Sequence, residues 1–201
     1  MSTPSRPRRA DAVRNRDLLL AAAQDEFAER GLEASVADIA RRAGVGKGTV
    51  FRHFPTKDDL IAAIVRTHVD ALDALGRDLL RARDAGPALL EFLTEAAGKQ
   101  QRDLSFLLRA SERNPEVLEL RDRLYVTIGD LVERAKLAGA IRADVTGVDV
   151  ILLMCAPGHV VDYLSDPMPH LWERYLGIVF DGLRPEGAHP LRPDPPSLSG
   201  L

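Results

Sequence analysis

The chain has 201 residues and a mass of 22.0 kDa, a length typical of one or two domains. Its content of 45% apolar and 28% charged residues excludes a wholly disordered chain. The single cysteine, Cys155, excludes an internal disulfide framework and a cysteine-rich metal site. A net charge of −3 excludes a polybasic coat for nucleic acid, although residues 1–60, with 11 basic and 9 acidic side chains, are the better place for an anion to bind.

No segment predicts secretion or a membrane span. Residues 1–17 are basic and lack the apolar stretch of a secretory signal. The densest apolar run, Val148 to Val161, contains Pro157 and is shorter than the ~18–20 residues that cross a bilayer. We therefore expect a cytoplasmic protein that makes no contact with a membrane.

The chain begins with an arm and a first helix. Residues 1–12 are basic and are expected to be flexible, either lying along DNA phosphates or remaining in solvent. Leu20, Ala23 and Phe27 then recur at helical spacing. Gly31 is a typical residue for the end of that helix.

Two short helices follow. Ser35 and Asp38 form a near capping box that opens the second helix, and Gly44 ends it. A third helix is predicted over residues 47–54. Pro55 closes it, because the residue before a proline avoids the helical region.

The remainder of the chain is also predicted to be helical. A long helix begins at the N-cap Thr56 and keeps an apolar stripe until Gly86-Pro87. Five further helices are predicted at about 87–101, 103–112, 115–138, 146–165 and 169–183. Residues 184–201 hold five prolines and are expected to be a tail without a packed element. No run alternates as a strand does, so the predicted fold class is all-α.

The spacing of Ala40, Gly44 and Val50 is typical of a helix-turn-helix, in which a small residue lets the helices cross and a glycine makes the turn. The second helix of such a pair can enter the major groove of DNA. Val50 and Phe54 would face inward, which leaves the polar side chains outward. The alternative is a surface helix that is polar without binding anything.

The outward side chains suit different parts of DNA. Lys47 and Arg52 can donate hydrogen bonds to guanine edges. Thr49, His53 and Lys57 can reach phosphates, as can backbone N–H groups at the start of the preceding helix.

Residues 13–60 resemble the DNA-binding domain of the TetR family of transcriptional regulators, and the stretch VADIARRAGVGKGTVFRHFPTKDDLIAAI, residues 36–64, is similar to the motif of that family. The resemblance rests on Ile39-Ala40, Ala43-Gly44-Val45, Gly48-Thr49, Phe54 and Lys57-Asp58 in this order. It implies an N-terminal three-helix DNA-binding domain followed by a larger helical domain for effector binding and dimerisation. It also implies a homodimer on a near-palindromic double-stranded operator, with a small-molecule effector that changes the separation of the two recognition helices.

Three positions weaken the match or the recognition helix. Phe51 stands where the family usually has tyrosine, so a hydroxyl contact with phosphate is missing and the ring contact remains. Gly46 replaces serine or another polar residue and weakens the N-cap, and Gly48 adds to the looseness of the helix until DNA binds. The predicted DNA-binding residues are Ser35, Val36, Lys47, Gly48, Thr49, Phe51, Arg52, His53, Lys57, Arg8 and Arg9.

The helix predicted over 146–165 is apolar on most of its circumference, which predicts burial on all sides, in part by a second subunit. Pro157 is expected to kink this helix or to shift its start. The predicted dimer interface comprises Ile151, Leu152, Cys155, Trp172, Tyr175 and Val179. The alternative is an ordinary monomer core.

A ligand pocket is only weakly specified by the sequence. The candidate lining residues are Phe92, Phe106, Leu107, Arg109, Tyr125, Met154, His159 and Tyr163. Each of them is alternatively a core residue. If Arg109 faces the cavity, an anionic or carbonyl-bearing ligand is favoured, because buried polar groups need partners.

Other motifs carry no function. Residues 44–49 lack the spacing of a P-loop, and no strand precedes them. The five histidines do not pair with carboxylates at metal spacing, and no nucleophile motif is present. We therefore expect no metal, no cofactor and no enzymatic activity, with Cys155 a buried and inert thiol.

These features predict a ligand-responsive, sequence-specific transcriptional regulator, and most simply a repressor that a small molecule releases from its operator. Activation, or repression that needs a co-repressor, stays open. So do two other classes, a helical small-molecule-binding protein without a DNA-regulatory role and a helical enzyme. The predicted organisation is residues 1–12 as a basic flexible arm, 13–56 as the DNA-binding domain, 57–183 as the ligand-binding and dimerisation domain and 184–201 as a proline-rich tail.

Overall fold

The computed structural model describes residues 7–100, 114–161, 170–186 and 188–195, with side-chain positions for 14–98, 114–154, 170–186 and 188–195. Over these ranges the chain is helical and contains no strand, which confirms the all-α prediction. The helices are α1 (Pro7–Arg30), α2 (Val36–Arg42), α3 (Lys47–His53), α4 (Lys57–Leu79), α5 (Ala85–Gln100), α6 (Pro115–Leu137), α7 (Gly147–Val161) and α8 (Leu171–Gly182).

Three boundaries differ from the prediction. Helix α1 begins at Pro7, inside the range 1–12 assigned to a flexible arm, and proline is a favoured first residue of a helix. Helix α4 ends at Leu79, and α5 begins at Ala85. Helix α7 begins at Gly147 and continues through Pro157, so this proline does not shift its start. The helix predicted at about 103–112 lies outside the described residues.

The chain divides into two compact units. The first, which we call the head, consists of Met1–Thr67 and Asp103–Val117, and the second, the body, consists of His68–Arg102 and Leu118–Leu201. The division falls inside α4, between residues 67 and 68, and the functional boundary between residues 56 and 57 stays a prediction. The first turns of α4 belong to the head because Leu60 and the residues near it are buried there.

The core of the head is built from apolar faces of its helices. In α1, Leu20, Ala23 and Phe27 are buried, as their spacing predicts. Val50 of α3 and Phe54 just after it are buried as well. Each large apolar side chain in such a core stabilises the fold by about 1.5–3 kcal/mol relative to exposure.

A buried carboxylate joins α1 to α2. Glu26 is 3% exposed, and its Oε1 lies 3.0 Å from Nε of Arg42. Arg30 approaches the other oxygen of Glu26 at 3.5 Å, and Arg42 also binds Glu29 at 2.6 Å. A buried charge is tolerated only when it is paired, so these arginines hold the two helices together at this position.

The core of the body contains one close approach between α4 and α6. The hydroxyl of Thr127 donates to the buried carboxylate of Asp73 at 2.6 Å, and Arg77 lies 3.0 Å from the other oxygen. A Cβ at Gly76 would lie 2.5 Å from Cγ2 of Thr127 and 3.3 Å from the ring of Phe92. Only glycine fits at position 76 without a shift of these neighbours.

Helices α5 and α8 also meet at a glycine. A Cβ at Gly98 would lie 3.2 Å from Cη2 of Trp172. The far edge of the indole ring is therefore in contact with α5 of the same chain.

Candidate DNA-binding site

The turn between α2 and α3 has the geometry that the helix-turn-helix prediction requires. Gly44 has a φ of +67°, a conformation that side chains disfavour. The N–H of Val45 donates to the carbonyl of Ala40 at 3.0 Å, and the N–H of Gly44 donates to Arg41 at 3.1 Å. This pair of bonds is the Schellman arrangement, which satisfies the last carbonyls of α2 and redirects the chain into α3.

The start of α2 is capped as its sequence predicts. Ser35 is extended, and its Oγ accepts from the N–H of Asp38 at 3.2 Å. The same hydroxyl donates to the Asp38 carboxylate at 2.6 Å, and Arg41 donates to it at 2.5 Å. The Ser35 hydroxyl and then the Arg41 guanidinium lower the pKa of Asp38 from 3.8 to about 2.

The hydrogen bonds of the Asp38 carboxylate in this N-cap predict that the stability of the fold depends on pH. Because the pKa of Asp38 is lower in the folded chain, its contribution is complete above about pH 4 and disappears as the pH falls towards 2. We expect Asp38→Asn to lower the urea midpoint at pH 6 and to match the wild type near pH 2. Urea titrations followed by circular dichroism across this range check the result. A gap between the two proteins that widens in acid would contradict it.

Helix α3 presents one open face. Lys47, Gly48, Phe51 and Arg52 are exposed, while Thr49 and His53 are half-buried. This face is the one opposite the buried Val50. Lys47 and Arg52 are thus fully on the open side of α3, whereas Thr49 and His53 are partly covered, and the DNA contacts of all four side chains stay predictions.

The N-terminus of α3 is held only by its backbone. Gly46 occupies the N-cap and provides no side-chain hydrogen bond, and the N–H of Thr49 donates to the Gly46 carbonyl at 2.8 Å. Near the other end, Nε of Arg52 donates to the carbonyl of Gly48 at 3.2 Å. The ring of Phe51 is 48% exposed and belongs to the open face of α3.

Lys57 makes contacts within the head that its sequence neighbours do not indicate. Its ammonium donates to the carbonyl of Leu32 and lies 5.6 Å from the centre of the Phe27 ring. It therefore joins the start of α4 to the segment after α1. Arg8 and Arg9 lie in the first turn of α1, and their side chains are outside the described residues.

One arginine near α3 was missed by the sequence analysis. The guanidinium of Arg16 lies over the ring of Phe54 at 5.3 Å from its centre. It borders a cleft of about 580 Å³ in the head that also includes His53, Asp59 and Glu116. The cleft mixes charges of both signs, so it does not favour an anion. Nothing local in the sequence around Arg16 indicates this contact.

Comparison with known proteins identifies the family. Residues 19–64 match the family model for bacterial regulatory proteins of the tetR family, and residues 84–185 match the C-terminal domain model of SbtR-like transcriptional regulators. An uncharacterised HTH-type transcriptional regulator of Mycobacterium bovis, Mb2936c, is 30% identical over 71% of this chain and 72% of its own. The chain belongs to the TetR family.

Two further TetR-family proteins are informative. The HTH-type transcriptional repressor Rv3405c of Mycobacterium tuberculosis is 40% identical over 52% of this chain, and the alignment spans only 55% of that relative. The crystal structure of a TetR regulatory protein from Mycobacterium vanbaalenii has a TM-score of 0.65 and 34% identity, covering 89% of this chain and 99% of that one. The family and the names of the relatives indicate regulators rather than enzymes.

Three of the predicted pocket residues have described side chains, and all three lie in the body of this TetR-family chain. Phe92 and Met154 are buried, at 0% and 8% exposure. Tyr125 is half-buried, with the guanidinium of Arg121 at 5.6 Å from its ring centre. The side chains of Phe106, Leu107, Arg109, His159 and Tyr163 lie outside the described residues. With three of its eight side chains described, the lining of the pocket stays a prediction.

The predicted dimer residues separate into two groups. Ile151 is 9% exposed and belongs to the core of its own chain, and Trp172 contacts Gly98 of α5. Leu152 is exposed, and Tyr175 and Val179 are half-buried. The side chain of Cys155 lies outside the described residues. Ile178, which the sequence analysis does not single out, is 56% exposed and stands one turn from Tyr175.

Among the described helices, none has the length and apolarity that a membrane crossing requires.

Proposed function

We propose that the protein is a sequence-specific DNA-binding transcriptional regulator, with α3 as the helix that reads the major groove. The observation that carries the proposal is the open face of α3. Lys47, Gly48, Phe51 and Arg52 are exposed on a helix whose opposite side is fixed by Val50. A lysine and an arginine on such a face supply the donors that guanine edges accept.

The proposed functional unit is a homodimer. Helix α3 has seven residues and can contact only the few base pairs of a half-site. Two copies on a near-palindromic operator would place the half-site centres ~34–36 Å apart or at a multiple of this distance. Membership in the TetR family supports the dimer, because the family resemblance implies one.

The proposed mode of regulation is repression relieved by a small molecule bound in the body. The relative of Mycobacterium tuberculosis is itself named a repressor, which supports this sign. Coupling between ligand and operator of about 1–3 kcal/mol would change operator affinity roughly 5–150-fold.

The experiment is fluorescence anisotropy with the DNA upstream of the protein's own gene. A scrambled duplex of the same composition is the control, and both are titrated across a salt series. We expect tighter binding to the native duplex and a steep fall in affinity as salt rises, because phosphate contacts release counterions. Equal and weak binding to both duplexes contradicts operator recognition at this site and favours the alternative of a helical ligand-binding protein. The uncapped start of α3 is the observation that favours this alternative.

A change at Gly48 separates helix stability from DNA binding. A Cβ at this position meets no atom within 4 Å, so alanine fits. We expect Gly48→Ala to raise the free energy of unfolding by about 0.5–1 kcal/mol, since glycine is a poor residue inside a helix. The methyl group would stand on the face proposed to approach DNA, so affinity for the operator should fall. Urea titration and anisotropy measure the two effects.

An alanine at Gly46 is the matched control for Gly48→Ala. A Cβ at position 46 also meets no atom within 4 Å, but this position is the N-cap of α3, where alanine is less favourable than glycine. We expect this control to lower stability slightly. A Gly48→Ala protein that is stabilised and binds the operator as well as the wild type would show that DNA does not approach this part of α3.

A further inference from the structure

An arginine lies on the side of α6 that faces the core of the body. Arg121 precedes Ile128 by seven residues, which is about two helical turns, so the two side chains leave α6 on the same side. Ile128 is 1% exposed, and Val132, one turn further on, is 0% exposed. Arg121 therefore extends the buried stripe of the helix and is itself half-buried. A charged side chain in this position is costly, because it loses contact with water.

The Nε of Arg121 is buried and has no hydrogen-bond partner among the described residues. One carboxylate oxygen of Glu26 and one of Asp73 are also buried without a hydrogen bond, but each has an arginine nitrogen within 3.5 Å. No carboxylate in the described part of the chain comes within ion-pair distance of the Arg121 guanidinium. Of these three buried groups, Arg121 alone has no opposite charge beside it among the described side chains.

The neighbours of Arg121 on its own helix offer a ring and no carboxylate. Side chains three and four residues away are adjacent on a helix, and within the body these are Leu118, Leu124 and Tyr125. The guanidinium carbon lies over the Tyr125 ring, 5.6 Å from its centre. The ring stabilises the positive charge from one face. The N–H donors point along the plane of the guanidinium, so this contact leaves its edge open to an acceptor.

We propose that Arg121 binds the anionic group of the effector, and that this group is a carboxylate joined to an apolar molecule. A guanidinium binds the two oxygens of a carboxylate along one edge, through two parallel hydrogen bonds. The buried Nε of Arg121 belongs to such an edge. The apolar part of the effector is inferred from Ile128 and Val132, which continue the same side of α6. The inference rests on the proposed function, in which the body binds the effector, and it gives that effector a chemical class.

The first test measures thermal melting of the full-length chain by circular dichroism, without DNA. The probes are straight-chain carboxylates from hexanoate to decanoate, together with phenylacetate. The corresponding alcohols, from hexanol to decanol and 2-phenylethanol, are the controls for the apolar part. We expect at least one carboxylate to raise the melting temperature by about 2–4 °C, since a ligand of the folded state stabilises it, and its alcohol to have a smaller effect.

Variants at Arg121 then test the contact itself, with dissociation constants from isothermal titration calorimetry. We expect Arg121→Gln to weaken binding of the carboxylate at least about tenfold, because the charged donor edge is lost. Arg121→Lys keeps the charge and loses the edge, so its effect should be smaller. The matched control is Arg123→Gln on the same helix, because the Arg123 side chain is 58% exposed and pairs with Asp70 at 3.1 Å. This control should stay within about twofold of the wild type.

A second test needs no ligand. Arg121→Met replaces a buried donor by an apolar side chain that requires no hydrogen bond. We expect the melting temperature of the ligand-free chain to rise by about 2–4 °C, because a cost of folding is removed. Arg123→Met is the control and should change the melting temperature by less than about 1 °C, since an exposed ion pair contributes little. A gain in stability with a loss of carboxylate binding is the signature of a binding residue.

Three results would overturn the proposal. They are carboxylates that stabilise the chain no more than their alcohols, an Arg123→Gln protein that loses as much affinity as Arg121→Gln, and an Arg121→Met protein that melts below the wild type. The last result would make the guanidinium a stabilising part of the core. Carboxylate binding through Arg121, combined with equal affinity for the native and scrambled duplexes, supports the inference and contradicts only DNA recognition. The reverse combination contradicts only the inference.

Discussion

Replacing Lys47 or Arg52 with alanine is expected to lower affinity for the native operator duplex roughly 5–150-fold each, because one good contact with a base edge is worth about 1–3 kcal/mol. Both side chains are on the exposed face of α3, and Arg52 at present donates only to a carbonyl of its own helix. The loss should be larger for the native duplex than for a scrambled one. Anisotropy with both duplexes at one fixed salt concentration measures this difference.

Arg81→Ala is the matched control for these changes. Arg81 is in the body, its side chain is 73% exposed, and its partner Asp78 is exposed as well. The Arg81→Ala change therefore removes one positive charge and leaves the head unaltered. If this variant loses as much affinity as Arg52→Ala, the effect comes from overall charge, and the assignment of α3 as the reading helix is wrong.

Phe92→Ala is expected to reduce the free energy of unfolding by about 3–5 kcal/mol and the melting temperature by about 6–20 °C. Phe92 is 0% exposed and packs beside Gly76, where no other side chain fits. Truncation would leave a cavity that the surrounding helices cannot fill. Urea titration and thermal melting followed by circular dichroism measure the loss.

Phe51→Ala removes the same atoms from an exposed site. Because the Phe51 ring is 48% exposed, we expect a change in stability within about 0.5 kcal/mol. Its effect should instead be a loss of DNA affinity. Nearly equal stability of the Phe92→Ala protein and the wild type would mean that Phe92 lines an adaptable pocket, as the sequence analysis allowed, and is not a core residue.

Local signals in the sequence were sufficient for the helix-turn-helix. Ser35 caps α2, Gly44 ends it in a left-handed conformation, and Val50 faces inward. Each of these features depends on residues within a few positions, because caps and turns are made by neighbours along the chain. The family motif is concentrated in the same stretch, which is why the head could be predicted in detail.

Long-range contacts could not be predicted in the same way. The ammonium of Lys57, which is predicted to reach a phosphate, donates to the carbonyl of Leu32, 25 residues earlier in the chain. Nothing near Lys57 in the sequence indicates that acceptor. The division of the structure inside α4 could not be predicted either, because it depends on packing among helices and not on neighbours along the chain.

In a helix that is apolar all round, the sequence does not show which side chains face the core and which face outward. Helix α7 is apolar around most of its circumference, so Ile151 and Leu152 were equally good candidates for an interface. The structure separates them, with Ile151 in the core and Leu152 exposed. A pattern identifies an outward side only where polar residues mark it.

The contact between Trp172 and Gly98 provides a built-in optical probe. Trp172 is the single tryptophan of the chain, so its emission originates at one place. The far ring edge lies against Gly98 of α5, and Trp172 as a whole is half-buried. Any small molecule that displaces α5 from α8 will change the polarity around the indole and shift the fluorescence maximum. Unlabelled protein can therefore be screened for effectors before a single operator sequence is known.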